Sequence, residues 1–428
     1  MKNKFSYYAY ILRYNKWKRL ISLINVILFC TASYDVIFHS SIFQSSIGIM
    51  VITAGKLLWD TYMLVKGLTT DNKLDSLTIR SKDIIFRKIQ LEGDYQLIAH
   101  KYRTREHIKT AKIVYSQSIN DFLTQKNNTG LAFEFCKGTQ QRVREFIAEN
   151  FDKLSLFLKI SYRQSNALKK DYFNEQKFCL SADIVPGEPI KCHKGTYFDT
   201  MLTNFVAGKY IEDAAGNIVA DFTAQNPVKK RRNGFYLERI SESNFNNHIG
   251  VSTIAITKDH YLVFWIQNHK AQSSSGLIVP TGSGSCDFDD VVDMDFMKTM
   301  RKAMERELLE ESTRRGKSTS EVVQTKVLGY YRWLEKGAKP EFVGISRIDL
   351  NFSDLKNNQR EVRLNNSHED FQLTKKVASL SDLADYLDNE IKNNRNLSVP
   401  LFFNMLVFSK YIAAFKDEAE SFLFGAND

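Results

Sequence analysis

The stretch Arg306-Glu307-Leu308-Leu309-Glu310-Glu311 decides how this chain is read, because it sets three carboxylates on one face of a helix running from about Phe296. Glu307, Glu310 and Glu311 stand at i, i+3 and i+4, the spacing at which helical side chains become neighbours. Carboxylates that close repel one another, so the cluster is stable in water or around a hard cation such as Mg2+, which prefers oxygen ligands. Arg301, Lys302, Arg306, Arg314 and Arg315 alternate with the acids. Spacing alone leaves two readings open, a neutralised solvated face and a metal-phosphate site.

The residues around this helix carry strand signals. Gly250 to Thr257 (GVSTIAIT) and His260 to Ile266 (HYLVFWI) are β-branched and aromatic runs joined by Lys258-Asp259, which predicts a hairpin. Gly276 to Ser285 (GLIVPTGSGS) predicts a strand ending in a small-residue loop, where Gly282 and Gly284 would let backbone amides approach an anion. Asp287, Asp289, Asp290, Asp293 and Asp295 then lead into the helix. Beyond it, Lys326 to Trp333 and Glu341 to Phe352 alternate as strands, and Pro400 to Phe415 (PLFFNMLVFSKYIAAF) is apolar almost all round, as a buried closing helix is. The basic run Lys229-Lys230-Arg231-Arg232-Asn233-Gly234 reads as a solvated loop.

A length of 428 residues suits two or three domains, and 43% hydrophobic with 12% aromatic residues excludes a disordered chain. Five scattered cysteines without a C-x-x-C pair exclude a zinc or disulfide framework and place the bulk of the chain in a reducing compartment. The formal charge of +10 favours anionic partners such as lipid headgroups or nucleotides.

Part of that charge lies at the start. Leu20 to Phe38 is a nineteen-residue apolar run interrupted by Asp35, and Ile47 to Val65 is a second run carrying Lys56 and Asp60. Runs of this length predict a two-helix transmembrane hairpin over 20–66, behind a basic and aromatic interfacial segment over 1–19. Basic flanks on both sides predict that both termini are cytoplasmic. Lys56 and Asp60, at i and i+4, can pair within one helix; alternatively they join Asp35 in facing neighbouring copies of the hairpin. Residues 71–180 read as an α/β connecting region with a helix over Gln140 to Lys159, and 181–425 as the domain that carries the chemistry.

Strand hairpin, small-residue loop and a helix bearing R-E-L-L-E-E together resemble the Nudix superfamily, whose box runs G, five residues, E, seven residues, R-E-U-x-E-E-x-G-U, with U aliphatic. Arg306 to Glu311 match the core of the box without a gap. The first glutamate of the box falls on Lys298, its leading glycine on Val292 and its closing glycine on Thr313. The resemblance implies an α/β (α+β) sandwich with a mixed sheet between helices. It implies Glu307, Glu310 and Glu311 as metal ligands, Mg2+ as cofactor, and Arg306 as a structural ion-pair partner. Arg332, Trp333, Lys339, Glu341 and Arg347, with Gly282 and Gly284, would then form a nucleotide pocket, Trp333 or Tyr331 stacking on a base.

The order of parts is similar to the transmembrane Nudix effectors of CBASS, bacterial antiphage systems that signal with cyclic oligonucleotides. That likeness implies an inner-membrane, multi-pass receptor for a cyclic di- or trinucleotide made by a nucleotidyltransferase. Ligand binding would drive homo-oligomerisation and membrane disruption, with no nucleic-acid polymer as partner. The rival is a membrane-anchored, Mg2+-dependent Nudix hydrolase of nucleoside diphosphate derivatives, favoured by the intact Arg306 to Glu311 and disfavoured by Lys298, Val292 and Thr313.

Overall fold

The structure is a computed structural model that describes residues 26–31, 33–34, 51–59, 74, 76–82, 89–104, 107–167, 174–267, 274, 276–312, 323–355, 362–363 and 374–425. Its centre is an eight-stranded mixed sheet that curls into a half-barrel. The strands are β1 (Tyr95–Arg103), β2 (Ile108–Ser116), β3 (Gly250–Thr257), β4 (Tyr261–Val263), β5 (Gly282–Ser285), β6 (Val323–Trp333), β7 (Lys339–Ile348) and β8 (Lys375–Lys376). Their order is β8-β4-β3-β7-β6-β2-β1, with β5 attached to β3. β3 and β7 run parallel and the other neighbours antiparallel. The free edge of β3 is shared: Gly250 to Thr253 pair with β5, while Ala255 and Ile256 pair with β4.

Period-two alternation assigns the two faces of the sheet to two cores. Val251, Val327, Tyr330 and Phe342 pack with Phe296, Met300 and Met304 of α2 (Phe296–Ser312) and with Ile119 and Leu123 of α1 (Gln117–Lys126). Ile254, Tyr331, Trp333, Val343 and Ile345 turn the other way, onto α3 (Leu380–Asn393) and α4 (Val399–Ala414). Ser398 caps α4 by accepting the Leu401 amide, and a proline sits in its first turn, where its missing N–H costs nothing. Leu401, Phe403 and Phe408 of α4 are at most 1% exposed. Side chains of that size contribute about 1.5–3 kcal/mol each on burial.

Helix α2 reaches the sheet at a glycine. A β-carbon on Gly282 would lie 2.5 Å from Leu308 Cα, so β5 is a strand whose small residues let the helix seat against it. The expected anion loop is that strand.

Several expectations are corrected. The anticipated Nudix-like sandwich behind a two-helix transmembrane hairpin gives way to the mixed α/β fold with a curled half-barrel sheet. Among the described residues no single helix is long and apolar enough to cross a membrane. Within the described helical residues Val51 to Trp59, Lys56 is exposed. Asp35 and Asp60 lie outside the described residues, and the multi-pass inner-membrane location loses its support. Helix α4 and Lys416–Phe424 pass a composition test together, but they are bent by 114° and α4 belongs to the core.

Three further features were not anticipated. β1 and β2 come from the segment read as connecting region and complete the central sheet. The basic run at 229–234 forms a hairpin, Val228–Arg231 with Gly234–Leu237. The helix expected over 140–159 is two helices, Lys137–Glu149 and Phe151–Ala167, divided at Asn150.

Candidate functional site

Arg306 organises one wall of a cleft of about 930 Å3. Its guanidinium donates to Asp290 through Nε (3.0 Å to Oδ1) and Nη2 (2.8 Å to Oδ2), to the Ser285 carbonyl (2.8 Å) and to Glu307 Oε1 (3.0 Å). Asp287 and Glu310 stand 3.6 Å away. Burial works against the charged guanidinium, but Asp290 and Glu307 outweigh it and hold its pKa above the ordinary value. Asp290 is 2% exposed and closes a capping box with Asp287 at the short helical turn Phe288–Asp290, so the acidic stretch is partly an interior counter-charge.

Glu307 is 9% exposed and accepts the Ser285 amide at 3.1 Å. Burial, and then the charge of Glu310, push its carboxyl up to about 7 in spite of Arg306. Gly284 makes the room for it, since a β-carbon there would lie 2.1 Å from Glu307 Cδ. Glu310 lines the same cleft and remains half-exposed, with 53% of its side chain accessible.

Four lysines share the cleft with these acids. Lys177, Lys209, Lys336 and Lys339 all line the cleft. Lys177 is held by Asp287 and by Glu175 (2.8 Å), and Lys339 by Glu341 (2.8 Å). Lys209 and Lys336 have no ion-pair partner among the described residues. Their ammonium groups lie over the Phe157 ring (5.3 Å from its centroid) and the Trp333 ring (4.0 Å). Burial lowers each of these two pKa values to about 8. Tyr197, Phe205 and His248 also line the cleft, His248 holding Nδ1 2.7 Å from Thr200 Oγ1. Burial, followed by Lys339, Lys177 and Lys336, keeps the His248 pKa well below its ordinary value, so its imidazole is neutral.

Of the residues singled out from sequence, Arg306, Glu307, Glu310, Gly284, Lys339 and Glu341 meet in this cleft. The others go elsewhere. Glu311 is 2% exposed and Gly282 serves helix packing. Trp333 and Tyr331 are buried in the α4-side core, which removes them as base-stacking platforms. Arg332, between them on β6, turns to the other face. Arg347, near the end of β7, lies 3.7 Å from the position a Gly425 β-carbon would take and does not line the cleft. Lys298 is exposed and pairs with Asp293 at 3.3 Å. Lys177, Lys209, Lys336, His248 and Tyr197 carried no usable signal: each is a single side chain on a separate element.

These residues do not fit the three-carboxylate Mg2+ site that the Nudix resemblance implies. Arg306 already bridges Glu307 and Glu310, and Glu311 is buried outside the lining of the cleft. Among the described residues, no three or more His, Cys, Asp or Glu side chains are grouped so as to hold a metal ion. No protein-family model matches the sequence, and comparison with curated proteins gives no match.

Proposed function

We propose that the cleft is a receptor site for a cyclic di- or trinucleotide. In this reading the protein senses a signal made by a nucleotidyltransferase during antiphage defence and answers by assembling with copies of itself. The observation that carries the proposal is the pair Lys209 and Lys336, two lysines that line one cleft and have no ion-pair partner among the described residues. Asp287, Glu307 and Glu310 in the same lining are engaged by Arg306 and Lys177. Two phosphodiesters would meet the two lysines, while Tyr197 and Phe205 offer aromatic faces to bases. A volume of about 930 Å3 is at the upper end of the usual range for small-ligand sites. Assembly follows only if the ligand binds the assembled form more tightly than the free one.

The test is calorimetric binding of cyclic di- and trinucleotides beside their linear counterparts, with sedimentation to follow assembly. Tight binding of one cyclic species, weakened at least about tenfold by Lys209→Ala and again by Lys336→Ala, is expected from the loss of charge-assisted hydrogen bonds. Mg2+-dependent turnover of a nucleoside diphosphate derivative that disappears in Glu310→Gln would overturn the receptor reading in favour of a hydrolase.

A further inference from the structure

The central sheet ends on one side in β8, two residues long, and on the other in β1, nine residues long. Among the described residues β1 is paired on one side alone, with β2. In an antiparallel pair, successive residues turn their N–H and C=O alternately toward the neighbour and away from it. The Thr104 amide donates to the His107 carbonyl at 2.8 Å, inside the hairpin, and the Arg103 amide donates outward to the Arg395 carbonyl at 2.7 Å. Leu97, Ala99 and Lys101 share the parity of Arg103, so their backbone groups face away from β2. Among the described residues no backbone group outside the sheet meets them. Ala99 and Lys101 are exposed.

The side chains of β1 fix this edge in place. Leu97 packs with Val114 and Leu334, Ile98 and Tyr102 pack against the α4-side core, and the buried His100 stacks on Phe402 at 4.1 Å between ring centroids. A fixed row of unpaired N–H and C=O groups is a template for another strand. Its charges say which strand. Asp94, exposed and with its carboxyl held below the ordinary range by the Ser116 hydroxyl, precedes β1, and the exposed Lys101 and Arg103 close it. Antiparallel pairing with β1 of a second copy, about a two-fold axis at Ala99, sets the acidic start of each strand beside the basic end of the other. It also places Lys101 opposite Leu97, so the two Lys101 residues stay about 14 Å apart at about 3.4 Å per residue, beyond the screening length of about 8 Å. Parallel pairing in register would set like charge against like.

We infer that β1 is the surface through which two copies of this chain associate, joining two curled sheets into one continuous sheet. Leu97, Ala99 and Lys101 of each copy exchange about six backbone hydrogen bonds with Lys101, Ala99 and Leu97 of the other. None of these residues lines the lysine-lined cleft, so the pairing stands whatever that cleft binds.

Sedimentation equilibrium of the full chain without nucleotide, from about 1 to about 100 μM, should show a monomer–dimer equilibrium. Ala99→Pro should weaken the dimer at least about tenfold, because both central hydrogen bonds lose their donor. The Ala99 amide serves no bond within its own sheet, so proline at this edge position should leave thermal unfolding nearly unchanged. Cysteine trapping reads the register independently of the proline variant. Ala99→Cys places two thiols on residues whose Cα atoms stand about 5.5 Å apart, within disulfide range, whereas Lys101→Cys places them about 14 Å apart. Under mild oxidation beside the parent protein, the first should give a covalent dimer and the second should not. A parent that stays monomeric throughout the range, a folded Ala99→Pro that associates as the parent does, or Lys101→Cys cross-linking as readily as Ala99→Cys would overturn the inference and leave the edge to a strand of another protein or to solvent.

Discussion

Replacing Glu307 by glutamine should make the protein more stable at pH 8 while damaging its site. Glu307 is almost fully buried, and its folded pKa is about 7 against the usual 4.5 for glutamate. The sign follows from linkage: a carboxylate whose pKa is raised in the folded state is bound to a proton more strongly there than in the unfolded chain. Its ionisation therefore subtracts stability as pH rises from about 4.5, and the whole penalty is present above about 7. At about 1.4 kcal/mol for each tenfold change, the difference amounts to about 3 kcal/mol at pH 8. The Glu307→Gln amide oxygen can still accept from the Ser285 amide and from Arg306. Urea unfolding of both proteins at pH 4.5 and pH 8 reads the effect. The variant should gain up to about 3 kcal/mol at pH 8 and almost nothing at pH 4.5. A loss of stability at pH 8, or a difference between the proteins that does not change with pH, would refute the placement of an ionised, destabilising carboxylate beside Arg306.

Three other outcomes follow from the same geometry. Binding of an anionic ligand in the lysine-lined cleft should take up protons near pH 8, because the ligand raises the pKa values of Lys209 and Lys336 from about 8; affinity should fall as pH rises above 8, which calorimetry in buffers of different ionisation enthalpy detects, and Lys336→Met should reduce the uptake. Gly282→Ala should destabilise by about 1–3 kcal/mol or more, since its β-carbon would meet the backbone of Leu308 at 2.5 Å and α2 would have to shift; unfolding within about 0.5 kcal/mol of the parent would disprove that contact. Phe403→Ala, in the α4-side core against Tyr331 at 4.4 Å between ring centroids, should cost about 3–5 kcal/mol in the same assay.

Local pattern made much of the fold legible. The β-branched run at Gly250 to Thr257, the alternation through Lys326 to Trp333 and the apolar helix near Pro400 are each set by side-chain periodicity, which the chain carries whatever its partners are. The same method failed at the start of the chain. Composition predicts spans over Leu20 to Phe38 and Ile47 to Val65, whereas among the described residues no single helix is long and apolar enough to cross a membrane. β1 and β2 were also unreadable as part of the central sheet, since pairing Trp333 with Ile113 joins positions more than two hundred residues apart.

The sequence by itself determined that Glu310 neighbours both Arg306 and Glu307 on the helix, because the i+4 and i+3 spacings are fixed by helix geometry. Tertiary structure alone decided what that face meets. It set Asp290 and the Ser285 carbonyl on the guanidinium, buried Glu307 over Gly284 and brought lysines from separate strands and turns into the same cleft. It also divided Arg332 from Trp333, because adjacent residues of a strand point to opposite faces, sending one to a second cavity and the other to the core. Charge neighbours within one helix are a local property; the burial that shifts their protonation and the cations opposite them come from long-range packing.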